Sequence, residues 1–231
     1  MTKRRKPAKS KRKILAVDVG GTHVKCEVNG KSERREFESG PKLSAKRMVR
    51  EVKRLTSDWS YDVVSIGYPG LVMRNRVVAE PHNLGRGWEG FDFEKAFGCP
   101  VRILNDAAMQ ALGSYQGGRM LFLGLGTGLG STVIADGMVE PLELGHLPYR
   151  KSTFEEYVSD QARARRGKEK WERAVFDVVA RLSAAIEPDY VVIGGGGVEH
   201  LAELPPNARR GSNENAFVGG FRLWDPDWPP R

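Results

Sequence analysis

The chain has 231 residues, and 37 Lys and Arg against 29 Asp and Glu give it a formal net charge of +8. Eight of the basic residues lie within residues 1–13, which hold no acidic residue, so the remaining 29 basic residues balance the acidic ones. Because the whole basic excess lies in this tail, the charge argues against a nucleic-acid-binding domain in the rest of the chain and limits such binding to the tail. The two cysteines, Cys26 and Cys99, form no paired motif, which argues against a disulfide scaffold.

No apolar run approaches the roughly 20 residues that a membrane span requires. The basic N-terminus is not followed by the apolar core of a signal peptide. We therefore expect a cytoplasmic protein without a membrane partner. Residues 1–13 are dense in Lys and Arg, and we expect this tail to be disordered.

The first half of the body alternates strand-like and helix-like segments. Residues 14–20 predict a buried strand that ends in glycine. A strand over 24–28 continues through Asn29-Gly30 towards Phe37 as a hairpin, because Asn-Gly favours a type I′ turn. The further elements predicted here are a helix over 44–57, a strand over 61–67, a short helix over 91–97, a strand over 101–105 and a helix over 107–115.

A second cycle starts with a strand over 119–126, a glycine turn and a returning strand over 131–137. Residues 168–187 carry apolar side chains on one face, which predicts an amphipathic helix. A strand with a glycine loop follows over 189–197, then a helix over 198–204, and no element is predicted beyond. Because each half opens in the same way, the organisation favours two α/β lobes with a cleft between them, over 14–112 and 113–231.

A glycine turn joins the first two strands in the octapeptide DVGGTHVK, residues 18–25. Paired glycines let backbone N–H groups approach an anion, and Thr22 and Lys25 add a hydroxyl and a charge. Asp18 is suited to hold hydrated Mg²⁺ beside phosphate oxygens. A plain Gly-Gly hairpin fits this octapeptide equally well. The second half repeats the device in GLGTGLGS, residues 124–131, and two such turns could grip one polyanion from both sides.

Two further pairs combine polar side chains in patterns that suit catalysis. Asn105 and Asp106 stand where a strand passes into a helix, a position that favours both types as N-caps. The same position allows Asp106 to accept a hydroxyl proton during phosphoryl transfer. Glu143 and His146, around a glycine, suit hydrogen bonds to sugar hydroxyls, although an ordinary surface pair explains them better without further context.

The glycine run 194–197 follows a strand and precedes a predicted helix, as in loops that bind phosphates or a nucleotide. Its spacing is not GxGxxG, and Glu214, about 20 positions on, ends no strand, which argues against a dinucleotide-binding fold. A second basic cluster is typical of a solvated helix face and could also extend a track for a polyanion. It comprises Arg163, Arg165, Arg166, Lys168 and Lys170.

Seven segments, taken in order, resemble the motifs of the ROK family of sugar kinases: DVGGTHVK, YPG, HNLGRGW, LNDA, GLGTGLG, ELGH and IGGGG. The resemblance spans about residues 14–200 and is strongest to the polyphosphate-using glucokinase branch, which shares the short chain and ELGHL. It implies the two-lobed actin-like, ribonuclease H-like fold. Most members carry a zinc-binding cysteine cluster after the GH histidine, and its absence here implies no structural zinc. ROK repressors begin with a helix-turn-helix domain, which 13 residues cannot hold.

The resemblance also implies roles for single residues. Asp106 would be the base on the sugar 6-hydroxyl. The other sugar hydroxyls would be bound by Asn105, Glu143, His146 and Glu155. The first phosphate motif would comprise Gly20, Gly21, Thr22 and Lys25, with Asp18 holding Mg²⁺ through water. The second would comprise Gly126, Thr127 and Gly128. The nucleotide or the distal phosphates would lie near Gly194, Gly195, Gly196 and Gly197.

These observations predict a hexokinase, in first place a glucokinase, that uses Mg²⁺ and transfers a phosphoryl group from polyphosphate, ATP or both to the 6-hydroxyl of glucose. One alternative is an ATP-dependent kinase for mannose, fructose or an N-acetylhexosamine. Another is a non-catalytic protein that binds sugar, or nucleic acid through its tail. Relatives of this kind are commonly dimers, so we expect a homodimer.

Overall fold

The computed structural model describes residues 12–226 and residue 228. The strands in this part of the chain are β1 (Ile14–Val19), β2 (His23–Val28), β3 (Arg34–Glu38), β4 (Val63–Tyr68), β5 (Val72–Met73), β6 (Arg76–Val77), β7 (Val101–Asn105), β8 (Arg119–Leu125), β9 (Leu129–Ala135), β10 (Met138–Leu142), β11 (Pro148–Tyr149), β12 (Ser152–Thr153), β13 (Tyr190–Gly194) and β14 (Ala208–Arg210). The α-helices are α1 (Ala45–Leu55), α2 (Phe93–Phe97), α3 (Asp106–Ser114), α4 (Glu155–Val158), α5 (Asp160–Arg166), α6 (Lys168–Ile186) and α7 (Asn215–Arg222). Short 3-10 helices cover Leu144–His146 and Gly196–His200.

The two larger sheets repeat one construction. Their strand orders are β3-β2-β1-β4-β7 and β10-β9-β8-β13-β14. In the first, β1, β2 and β3 are antiparallel, and β4 and β7 continue the sheet parallel to β1. In the second, β8, β9 and β10 are antiparallel, and β13 and β14 continue it parallel to β8. The duplication that the sequence predicts is therefore confirmed by the topology.

Helices pack on the sheets because the central strands are apolar on both faces. β4 and β13 are buried along their whole length. One core joins the first sheet to α1 and α2, and another joins the second sheet to α4, α5 and α6. Trp88 and Trp171 are the largest fully buried side chains, and each indole N–H is satisfied, by Leu43 O at 3.0 Å and Val158 O at 2.7 Å respectively.

α3 and α7 cross at very close range. α3 contacts strands of both large sheets and so joins the two halves. A Cβ at Gly113 would collide with the carbonyl oxygen of Asn215, so the crossing depends on glycine. On its other side, α7 packs on β1 and β4, and the Ser65 hydroxyl donates to Gly220 O at 2.5 Å. α7 lies within the range predicted for the second lobe, yet its contacts are with the first sheet and α3.

The main predicted elements are present, with ends within two residues of the prediction. Two predictions were wrong. The turn after β2 is not type I′, because only Gly30 of the Asn-Gly pair has a positive φ. The Asn29 side chain instead ties the start of β1, accepting from Ile14 N at 2.8 Å. The helix over 198–204 is a 3-10 helix that begins inside the glycine run and stops well before Pro205.

Most of the predicted disordered tail, residues 1–11, lies outside the described residues. The last two tail residues contact the body. Lys13 N donates to the Asp62 carboxylate at 2.8 Å, and the Arg12 guanidinium lies 5.5 Å from the ring centroid of Trp224. In the described part of the chain, no helix combines the length and apolarity needed to cross a membrane.

Candidate active site

Three parallel strands of the first sheet, β1, β4 and β7, end side by side and carry polar residues at their ends. In the register, Asp18 pairs with Gly67, and Tyr68 pairs with Asn105. Asp106 follows as the first residue of α3. Ligands in α/β sheets bind outside the carboxyl ends of parallel strands. The fold thus brings Asp18 and Asp106 together at the edge where a ligand is expected.

Asp18 lies in a partly compensated electrostatic environment. It is paired with Lys25 across the antiparallel strands β1 and β2, so both side chains leave the sheet on one face. Burial raises the pKa of Asp18 to about 6, and the positive charges of Lys25 and Arg34 oppose that rise. Arg34 is held in place by Glu27 at 2.7 Å and by Glu214 ahead of α7. The site therefore retains a carboxylate that a further cation would stabilise.

The first glycine turn is held by its own backbone. Gly20 N donates to His23 O at 2.9 Å, so this amide shapes the turn. Ser39 fixes the turn from β3's far end, with its hydroxyl on Gly20 O at 2.7 Å and its N–H on Thr22 O at 2.8 Å. Gly21 and Thr22 are exposed. A phosphate group can therefore reach Gly21 and Thr22 more readily than the amide of Gly20.

Asn105 and Asp106 both have capping contacts at the start of α3. Asn105 Oδ1 accepts from Ala108 N at 3.2 Å, and its Nδ2 donates to Gly70 O at 3.3 Å. Asp106 Oδ1 accepts from Ala107 N at 2.7 Å. The two interpretations of this pair, helix cap and polar site, are thus compatible, because capping fixes the direction of both side chains.

The pKa of Asp106 is raised to about 7. Burial is the largest cause, followed by the negative charge of Asp18, with a smaller contribution from Glu143; the backbone N–H groups at the helix start oppose the rise. A carboxylate with a pKa near neutrality can accept a proton and return it to water, as a general base must.

The second glycine turn lies beside the start of α3. A Cβ at Gly130 would lie 2.8 Å from the Ala107 side chain, next to Asp106. Within the turn, Gly126 N donates to Gly128 O at 3.1 Å. The Glu155 carboxylate accepts from Leu129 N at 3.0 Å. The structure therefore brings this turn, Glu155 and the catalytic candidate into one region.

Glu143 precedes the 3-10 helix Leu144–His146, and His146 is its last residue. Their side chains are 65% and 68% exposed, with His146 Nδ1 4.0 Å from a Glu143 carboxylate oxygen. Glu143 is close enough to Asp106 to raise the pKa of Asp106. This proximity distinguishes Glu143 from an arbitrary surface residue. Both side chains are thus accessible to a ligand beside Asp106.

The glycine run 194–197 lies next to the second glycine turn. Gly194 pairs with Gly124 where the parallel strands β13 and β8 end. Gly195 has φ +76°, and a Cβ on it would collide with Leu125 O. A Cβ on Gly197 would lie 2.8 Å from the Leu125 side chain, whereas one on Gly196 would meet open space. Close backbone packing thus requires Gly195 and Gly197, and Gly196 faces the open side.

The model of the ROK family matches residues 14–153. This is well over half of the chain, and the match includes both glycine turns together with Asp106. The chain belongs to the ROK family. A polyphosphate glucokinase of Mycobacterium tuberculosis is 31% identical over 148 residues, which cover 58% of this chain and 56% of that protein. The match thus spans little more than half the length of that relative.

Two solved structures are similar to this ROK protein over 91% of its length. The inorganic polyphosphate/ATP-glucomannokinase of Arthrobacter sp. strain KM has a TM-score of 0.77 at 23% identity, with 97% of its chain covered. The ROK family glucokinase of Streptomyces griseus, in complex with glucose and AMPPNP, has a TM-score of 0.72 at 18% identity, with 98% covered. These likenesses confirm the two-lobed actin-like fold.

Other residues near the candidate site have no role in the predictions made from the sequence. Asn83 lies beside Gly21, since a Cβ there would be 3.8 Å from that of Asn83. The loop that carries Asn83 is anchored by Tyr68, whose hydroxyl donates to Ala79 O at 2.8 Å, and by Glu80, which accepts from Gly87 N at 2.9 Å. The segment HNLGRGW signals this loop, but nothing in the sequence indicates that Arg34 lies near Asp18.

Proposed function

We propose that this ROK protein is a hexokinase, in first place a glucokinase, that transfers a phosphoryl group from polyphosphate, ATP or both to the sugar 6-hydroxyl. The observation that carries the proposal is Asp106, a carboxylate fixed at the start of α3 with its pKa raised to about 7. The printed names of the relatives, a polyphosphate glucokinase and a polyphosphate/ATP-glucomannokinase, support the same activity.

In this mechanism Asp106 accepts the proton of the 6-hydroxyl as the oxygen attacks the terminal phosphorus of the donor. The bond from that phosphorus to the bridging oxygen breaks, and ADP or the shortened polyphosphate leaves. The bond of Asp106 to Ala107 N directs the carboxylate before the sugar binds, which removes part of the entropic cost of alignment. Asn105, Glu143, His146 and Glu155 are the proposed ligands of the remaining hydroxyls. Asn105 uses Oδ1 for the helix cap and one N–H of Nδ2 on Gly70 O, so the second N–H of Nδ2 is the part offered to the sugar.

The transferred phosphoryl group is held by dipoles and charges from both halves of the chain. Gly21, Thr22 and Lys25 supply the first set. The turn Gly126, Thr127 and Gly128 supplies the second, through Thr127 and Gly128, because Gly126 N is already bonded to Gly128 O. The fold fixes these protein groups before polyphosphate or ATP binds. They therefore stabilise the charge that develops on the phosphoryl group without reorganisation. Gly196, which meets open space, marks where the nucleotide or the distal phosphates would lie.

Mg²⁺ fits this donor set. Asp18 is a half-buried carboxylate whose pKa stays above its ordinary value despite Lys25 and Arg34, so a divalent cation beside it would relieve an unfavourable charge. No cluster of three or more His, Cys, Asp and Glu suited to a metal occurs among residues 12–226 and 228. Asp18 would thus hold the ion through water, together with phosphate oxygens. When bound, Mg²⁺ neutralises charge on the phosphoryl groups.

A coupled assay for glucose 6-phosphate tests the proposal, with glucose and Mg²⁺ and with polyphosphate or ATP as the donor in parallel. Much more product with polyphosphate than with ATP would support a member of the polyphosphate-using branch. Product with ATP alone would support a sugar kinase whose phosphoryl donor is ATP. Mannose, fructose and N-acetylglucosamine are tested as acceptors in the same way. Absence of product from every sugar and both donors would overturn the proposal.

A further inference from the structure

Glu155, one of the proposed sugar ligands, also holds the second glycine turn. Its Oε2 accepts the N–H of Leu129 at 3.0 Å, 26 residues away in sequence. The carboxylate comes so close to position 128 that a Cβ there would overlap the same oxygen, so a larger residue would push the end of the Glu155 side chain aside. The shape of the turn therefore depends on a charged side chain from α4.

The same short segment holds the other end of the turn. Asp160 N, at the start of α5, donates to Gly126 O at 2.8 Å. Ser159, between α4 and α5, caps α5 through its hydroxyl, which accepts from Ala162 N at 3.3 Å. Residues 155–160 thus clamp the turn at Gly126 and at Leu129, and Thr127 lies at the tip between the two attachment points.

The clamp also touches the segment that carries Glu143 and His146. A Cβ on Gly145, between these two residues, would lie 3.3 Å from the Leu129 side chain and 3.5 Å from that of Glu155. A carboxylate accepts hydrogen bonds at both oxygens. With Oε2 on Leu129, Oε1 can take a sugar hydroxyl at the same time.

We infer that Glu155 couples the sugar site to the phosphate-binding turn. It is a positioning residue for Gly126–Leu129, and a hydroxyl bound to Oε1 fixes the carboxylate that holds Leu129. The sugar half of this inference rests on the proposed function, whereas the hold on Leu129 does not. Because coupling between two sites is reciprocal, sugar strengthens donor binding and donor strengthens sugar binding by the same factor.

Amide hydrogen exchange at Leu129, resolved by NMR in the ligand-free protein, tests the hold. Glu155→Ala is expected to speed exchange there by about tenfold, the scale of losing one hydrogen bond to a charged acceptor. Glu155→Gln keeps a carbonyl acceptor and is expected to restore slow exchange. Glu156→Ala is the matched control, because Glu156 lies on the same helix but pairs with Arg165. Unchanged exchange in Glu155→Ala, or equal acceleration in Glu156→Ala, would overturn the hold.

The coupling is tested by adding glucose. Glucose is expected to slow exchange at Leu129 in the wild type and to have no effect in Glu155→Ala. In kinetics, Glu155→Gln raises the KM for glucose and keeps the donor KM near the wild-type value, whereas Glu155→Ala raises both. A wild type that phosphorylates glucose without any change in exchange would overturn the coupling. A wild type that phosphorylates no sugar defeats the proposed function, and the ligand-free comparison still decides the hold.

Discussion

Asp18 at the end of β1 raises the pKa of Asp106 at the start of α3, so two carboxylates from different elements share one electrostatic environment. Burying like charges near each other opposes folding unless a ligand or cation compensates them. Lys25 and Arg34 compensate Asp18 only in part. The arrangement thus costs the free protein stability, and a cation bound beside Asp18 would relieve that cost.

Replacing Asp106 by Asn removes the proposed base and keeps the acceptor for Ala107 N. We expect kcat to fall by about 10²–10⁴-fold, the usual contribution of a general base. Steady-state assays measure this fall, and titration calorimetry should show that glucose binding persists. Circular dichroism serves as the folding control. A variant with near wild-type kcat would exclude Asp106 as the base.

The pH dependence follows from the same residue. Asp106 must be deprotonated to accept the hydroxyl proton, and its pKa is about 7 in the free protein. kcat/KM is therefore expected to fall about tenfold for each pH unit below that value. Protonation of Asp18, whose pKa is about 6, steepens the fall at lower pH. A kcat/KM that stays flat from pH 5 to 8, in protein shown to be folded over that range, would contradict the assignment.

The free protein should be more stable as Asp106→Asn at neutral pH. The folded-state pKa of Asp106 lies above its ordinary value of 3.8. Between these two pKa values the folded protein keeps the Asp106 proton and the unfolded chain loses it. The free energy of unfolding therefore declines as pH rises from about 4 to about 7. Asn removes this decline, at the smaller cost of ~0.3–1 kcal/mol for losing a negative charge at a helix N-terminus.

Thermal unfolding of wild type and Asp106→Asn across pH 4 to 8.5 measures this difference. The variant should melt at a higher temperature at pH 8, and the gain should vanish near pH 4, where both side chains are uncharged. Equal melting temperatures at pH 8 would contradict this prediction, because they would show that the ionised Asp106 carboxylate does not destabilise the folded protein.

The main strands and the position of Asp106 were predictable for a physical reason. Strand periodicity and glycine turns are local signals, so the ends of β1 and β7, and with them Asp18 and Asp106, follow from the sequence. The place of α7 is not local, because its close crossing of α3 depends on Gly113, a residue without any distinctive sequence context. The position of Arg34 and the bond of Glu155 to Leu129 could not be predicted for the same reason. Both depend on contacts between elements that are far apart in the sequence.

The two glycines of the second turn should respond differently to alanine. A Cβ at position 128 would collide with the Glu155 carboxylate, whereas one at position 126 would meet no atom within 4 Å. Gly128→Ala is expected to push the flexible end of Glu155 away from Leu129 N and to destabilise the protein by ~1.5 kcal/mol, the scale of losing one hydrogen bond to a charged group. That corresponds to a drop in melting temperature of about 2–4 °C per kcal/mol for a chain of this size. Gly126→Ala, the matched control, should leave the melting temperature unchanged, and an equal drop in both variants would contradict the close packing.

Arg163 and Arg166 should discriminate between donors. Asp160, the first residue of α5, is bonded to the second glycine turn through its backbone N–H on Gly126 O. Its carboxylate lies 3.8 Å from the Arg163 guanidinium. The Arg166 guanidinium stacks 3.8 Å from the ring centroid of Tyr157. The Nε atoms of both arginines are buried without a hydrogen-bond partner among residues 12–226 and 228. These buried atoms are closed to a ligand, but α5 begins at the turn, so a long polyanion bound there would feel the positive charges of both guanidinium groups.

Arg163→Gln and Arg166→Gln are each expected to raise the KM for polyphosphate of tens of units several-fold and to leave the KM for ATP unchanged. The effect should shrink as salt screens the charges. Arg165→Gln is the control on the same helix, because the Arg165 guanidinium is bound to Glu156, at 3.0 Å to its carbonyl oxygen and 3.3 Å to its carboxylate. An equal rise in the KM for ATP, or in the Arg165 variant, would show that these arginines support the helix and take no part in binding the donor.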